Sequence, residues 1–205
     1  MPTDRSFHLR RLWLLATLAA PALSAQEPRL AARLSPGTAL EVQHLVDSAT
    51  RAALPAEPLI QKALEGESKG ADSARIVGAV EALLQRLRIA RRSLGSGATE
   101  PELVAAAAAL RAGASPVTLG ALRSLRPDQS LVVPLSVLAD IIAAGVTPEQ
   151  AWSSVRDMAN TGAGDAAFLA LRDRLTNTPR AADALPPEAR RPPTEAPPAS
   201  RPVRP

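Results

Sequence analysis

Apolar positions recur with a helical period through most of the middle of this chain. Val42, Leu45, Val46, Ala49, Ala52 and Ala53 fall on one face, opposite Glu41, His44, Asp47, Ser48 and Arg51. Thr38 and Glu41 have the spacing of a capping box ahead of that helix. A short helix follows from about Ala56 to Glu65, and Gly66 is placed to end it. Asp72 is placed to cap the longest helix, whose stripe is Ile76, Val80, Leu83, Leu84, Leu87 and Leu94. Thr99 and Glu102 form a second capping box ahead of Leu103–Arg111, with an unbroken alanine run inside it. A short helix runs to Leu125, and Arg126-Pro127-Asp128-Gln129 reads as a turn. Leu131 to Ala144 is apolar almost all round, which predicts a helix buried at the centre of a domain. Two more helices carry Trp152, Val155, Met158 and Ala159, then Phe168, Leu171 and Leu175. The pattern predicts an all-α fold, an array of about eight short antiparallel helices.

One turn recurs between these helices. Gly145-Val146-Thr147-Pro148 repeats as Gly113-Ala114-Ser115-Pro116, with looser copies at Gly70, Gly97 and Gly162 and a degenerate one at Ala53. Gly supplies the left-handed residue past a helix end, Ser or Thr caps the next helix, and Pro suits its first turn. Within successive pairs the copies lie 17, 16 and 17 residues apart. Six residues past the starts stand Leu59, Ile76, Leu103, Leu119, Ala151 and Phe168. This spacing predicts three tandem helical hairpins of roughly 46 residues, near 53–96, 97–144 and 145–177.

Composition sharpens the picture at the two ends. Arg5, His8, Arg10 and Arg11 precede the apolar run Leu12–Ala20, then Pro21 and the small residues Ala22-Leu23-Ser24-Ala25. That is the order of a secretory signal over 1–25, with cleavage after Ser24 or Ala25. The apolar stretch is shorter than the ~20 residues a spanning helix needs, so no stable membrane insertion is expected after cleavage. Residues 26–37 read as a linker, 38–177 as the helical domain, and 178–205 as a Pro/Arg-rich tail. The last 27 residues hold nine prolines, five arginines and three acids. Such a composition cannot bury enough apolar area to order itself.

The net charge of +4 belongs to those ends. Residues 26–178 hold 16 basic and 16 acidic side chains, so the helical part has no excess of the kind a nucleic-acid-binding core needs, and no nucleic acid is expected as a partner. The absence of cysteine excludes disulfides, thiolate metal sites and cysteine nucleophiles.

Candidate chemistry is sparse. His44, Asp47 and Ser48 offer a base, a carboxylate and a hydroxyl, but on the polar face of one helix and with no evident oxyanion hole. Glu65 and Glu67 around Gly66 lack calcium-loop spacing, and a lone histidine after signal cleavage is too little for zinc. No metal or cofactor is expected. Four residues stand out as interaction candidates: Arg88 and Arg92, which share a helix face; Asp140, the only charge between Leu131 and Pro148; and Trp152. Gly70, Gly97, Gly113, Ser115, Gly145, Thr147 and Pro148 are read as structural turn residues. The functional expectation is an exported, non-enzymatic helical protein that binds a protein partner in the bacterial cell envelope. The alternatives are a binder of anionic envelope polymers through the Arg/Pro-rich tail and, last, a hydrolase using His44 or Asp140.

Overall fold

A computed structural model describes residues 26–177; the signal-like segment 1–25 and the Pro/Arg-rich tail lie outside them. The described residues form nine α-helices and no strand. The chain divides into two compact units with the boundary between Arg92 and Ser93, close to the end of the fourth helix. The expected repeats 97–144 and 145–177 therefore lie together in one unit.

The first unit contains α1 (Gln26–Ala31), α2 (Pro36–Arg51), α3 (Glu57–Ser68) and α4 (Ser73–Leu94). The presence of α1 corrects the expected linker at 26–37: Leu30 and Leu34 are buried there, and Arg29 reaches α3 through two 3.0 Å bonds to Glu57. The start of α2 corrects the expected Thr38 box. Ser35 is the cap, its side chain accepting from the Thr38 N–H at 3.4 Å, and Pro36 opens the helix. Thr38 is buried one turn in, and its hydroxyl donates to Ser73 at 2.7 Å. Ser35-Pro36 is thus another copy of the Ser115-Pro116 start, with the same hydroxyl pair three residues apart: Ser35 to Thr38 at 2.8 Å and Ser115 to Thr118 at 2.9 Å.

Gly66 does not end α3, which continues to Ser68. A methyl group at Gly66 would stand 2.9 Å from Cγ1 of Ile76, so this glycine lets the start of α4 lie against α3. Asp72 caps α4 as expected, accepting from the Arg75 N–H at 2.8 Å.

The second unit contains α5 (Glu100–Ala112), α6 (Pro116–Leu125), α7 (Val132–Ala143), α8 (Pro148–Asn160) and α9 (Asp165–Thr176). Its centre is α7, which packs against α5, α8 and α9 and buries Leu135, Val137, Leu138, Ala139, Ile141 and Ile142. Ala105, Ala106, Ala107 and Ala109 of α5 are buried, and side chains this small permit close helix approach. Thr99 and Glu102 form the expected capping box, and Ser115 and Thr147 cap α6 and α8.

Four of the turns are alike in atomic detail. Ala53, Gly70, Gly113 and Gly145 have φ of +51°, +68°, +121° and +97°. In each case the next residue donates its N–H back across the turn: Leu54 to Ala49, Ala71 to Gly66, Ala114 to Ala109 and Val146 to Ile141, at 2.9 to 3.3 Å. This is the Schellman closure, in which a left-handed residue lets the chain satisfy carbonyls orphaned at a helix end. Gly97 is the exception to the expected set. Because α4 stops at Leu94, the left-handed residue is Gly95, with φ +86°. Leu59, Ile76, Leu103, Leu119, Ala151 and Phe168, all at the sixth position, are each at most 2% exposed.

Candidate functional site

The triad geometry of a hydrolase is not assembled in α2. His44 is exposed. Asp47 accepts from the Gln43 amide at 2.8 Å, and Ser48 accepts from Arg88 at 2.9 Å. Arg88 is thereby committed to tying α4 to α2, while Arg92 is exposed. Glu65 is occupied by Lys69 and Lys62, whose ammonium groups, Lys69 foremost, hold its carboxyl down at about 2. Among the described residues no group of three His, Asp or Glu side chains is arranged to hold a metal ion.

Asp140 faces solvent from α7 and lies 3.8 Å from Arg172 of α9. An exposed pair at that distance contributes little to stability and needs no catalytic role to explain it.

The most heavily bonded carboxylate is Glu102, which the sequence marks only as a cap. Its residue is 3% exposed. One oxygen accepts from the Thr99 N–H at 2.9 Å; the other accepts from Arg123 at 2.7 Å and from the Leu131 N–H at 2.9 Å. Burial pushes this carboxyl up, but the Thr99 and Leu131 N–H groups and the Arg123 guanidinium outweigh it and hold it below the usual carboxylate range. Arg123 also donates to the carbonyls of Pro127 and Gln129, at 3.2 and 3.3 Å. The cluster pins the α6–α7 loop to the start of α5. Arg126, in the same loop, is 4% exposed, stacks 5.1 Å above the Phe168 ring and donates to the Ala163 carbonyl at 2.8 Å. With these partners assigned, both arginines are structural residues.

Recesses lie in both units. In the first, Leu30, Ala31, Pro36, Ala39, Leu40 and Gln43 enclose about 390 Å³ between α1 and α2. Leu40 is 59% exposed at its edge, and Oε1 of Gln43 is buried with no hydrogen-bond partner among the described residues. Helical periodicity places Leu40 off the apolar face of α2, so its exposure is foreseeable, but the recess depends on α1. In the second, Trp152 and Glu149 of α8 border a shallower recess of about 200 Å³ with Pro148 and the α5–α6 turn. Trp152 is half-buried there, and Phe168 is fully buried, so of these two rings only Trp152 meets solvent.

No helix among the described residues is long and apolar enough to cross a membrane. Comparison with known protein families, with curated proteins and with solved structures gave no match.

Proposed function

We propose that this chain is an exported, non-enzymatic helical protein that binds a protein partner in the bacterial cell envelope through the recess between α1 and α2. The observation that carries the reading is Leu40, 59% exposed beside a recess of about 390 Å³ that includes an unmet buried acceptor on Gln43. Exposed single aliphatic residues are ordinary on protein surfaces. A leucine on the edge of an apolar hollow is different, because a partner side chain can enter the hollow and cover the leucine together. The partner's chemistry follows: an aliphatic side chain for the hollow, with an N–H or O–H donor beside it for Gln43 Oε1. Burying a donor against an acceptor that is already desolvated costs less than desolvating both. The basic-then-apolar order of residues 5–25 supports export.

The test is site-specific photocrosslinking in the native envelope. A photoreactive residue at Leu40 should give one discrete crosslinked protein, lost on adding Ala31→Glu, while the same residue at the exposed Ala82 should not. Equal crosslinking from both positions, or none from Leu40, would contradict the recess as the binding face.

A further inference from the structure

The recess at Trp152 has no part in that reading and points to an occupant within the chain itself. It is lined by Gly113, Ser115, Thr118, Pro148, Glu149 and Trp152. Gly113 has no side chain, and a Cβ there would stand 3.5 Å from Cγ of Pro148, so the proline ring and the turn form one smooth wall. Ser115 and Thr118, which also line it, hydrogen-bond each other at 2.9 Å. Trp152 is partly exposed, and its indole N–H has no acceptor among the described residues. Glu149 is exposed and makes no ion pair among the described residues. A flat aromatic ring, a free donor and a neighbouring carboxylate are the groups that recognise an extended proline-rich segment bearing arginine. The ring takes the proline faces, the indole N–H takes a backbone carbonyl, and the carboxylate takes the guanidinium.

The chain carries such a segment. Residues 190–205 include Arg190-Arg191-Pro192-Pro193 and end in Arg201-Pro202-Val203-Arg204-Pro205. The tail starts at Thr178, directly after α9, which packs against α8. Proline-rich chain in its extended helix advances roughly 3 Å per residue. A unit of this size has a radius of gyration on the order of 12 Å. Half of the 28-residue tail therefore spans the unit, and reach does not limit the contact. We propose that residues 190–205 dock on the Trp152–Glu149 recess of the same molecule, so that this recess is covered when the tail is bound and open when another ligand competes for the tail. The contact brings a basic segment to an unpaired acid, and a proline-rich segment reaches it already stiffened, which lowers the entropy of docking.

The experiment uses the full chain with Trp13→Phe, leaving Trp152 as the only indole, and Ser200→Cys, which supplies the only cysteine for a nitroxide label. The label should quench Trp152 fluorescence several-fold, with no dependence on protein concentration. Arg201→Glu with Arg204→Glu should abolish the quenching, Glu149→Gln should weaken it, and a synthetic peptide of residues 190–205 should displace the tail and restore emission. Quenching equal to that of the charge-reversed chain would overturn the proposal. So would quenching that rises with concentration, because the occupant would then be the tail of a second copy. The proposal would also fall if the peptide left the emission unchanged.

Discussion

Glu102 accepts a 2.7 Å hydrogen bond from Arg123, and the same carboxylate oxygen accepts the Leu131 N–H at 2.9 Å. One side chain therefore joins the start of α5 to both ends of the loop that leads into the central helix α7. Glu102→Gln removes the charge from three hydrogen bonds and presents an amide N–H₂ to donors, and should cost about 2 kcal/mol in urea unfolding. Arg123→Met, which leaves the buried carboxylate without its counter-charge and the Pro127 and Gln129 carbonyls without this donor, should cost at least as much.

The same carboxyl sets an acid dependence. Its folded-state value lies below the ordinary one, so its contribution to stability is fully present above the unfolded value, about 4.3. That contribution is lost as pH falls through the lower folded value, because the native state must then take up the proton that the unfolded state already holds. Unfolding midpoints of the wild type and Glu102→Gln should therefore converge as pH is lowered below about 4. A constant difference down to pH 2 would contradict the assignment.

Gly66 and Ile76 test the packing of α3 on α4. Gly66→Val should cost about 1–3 kcal/mol by overpacking against Ile76 Cγ1. Part of that loss should be recovered in Gly66→Val/Ile76→Ala relative to the sum of the singles, since Ile76→Ala removes the Cγ1 that the added side chain meets.

The turn glycines separate by conformation. Gly113→Val and Gly145→Val should each cost about 1–2 kcal/mol, because a β-branched residue is strained at positive φ. Gly95→Val should behave like them. Gly97→Ala should be nearly neutral, as its φ is ordinary and nothing lies within 4 Å of the added methyl group. Ser35→Ala should cost about 1 kcal/mol through the lost cap. Glu41→Ala should not, since Glu41 has no capping role.

What the sequence made legible follows from how local each feature is. Capping and the left-handed turn involve neighbours in the chain, so Thr99, Ser115, Thr147 and Gly113 could be placed by spacing alone. Ser35 was hidden because Arg33 and Leu34 precede it, where the Ser115 and Thr147 copies have Gly113-Ala114 and Gly145-Val146. Gly95 and Gly97 flank one serine, and only the packing of α4 decides where the helix stops. The apolar girth of residues 131–144 identified the central helix, and Asp140, the only charge in it, stands on its solvent-facing side. Long-range polar pairs left no periodic trace. Arg126 looks like a solvent residue by type, and nothing in the order of residues announces the Phe168 ring beneath it. The Leu40 recess was equally hidden, because its second wall comes from a segment read as a linker.

Export is the premise of the functional reading, and the N-terminus of the cellular protein tests it most directly. Intact-mass analysis of the protein recovered from the cell envelope should find a chain that begins at Ala25 or Gln26. A chain that retains Met1, or one found only in the cytoplasm, would contradict the account.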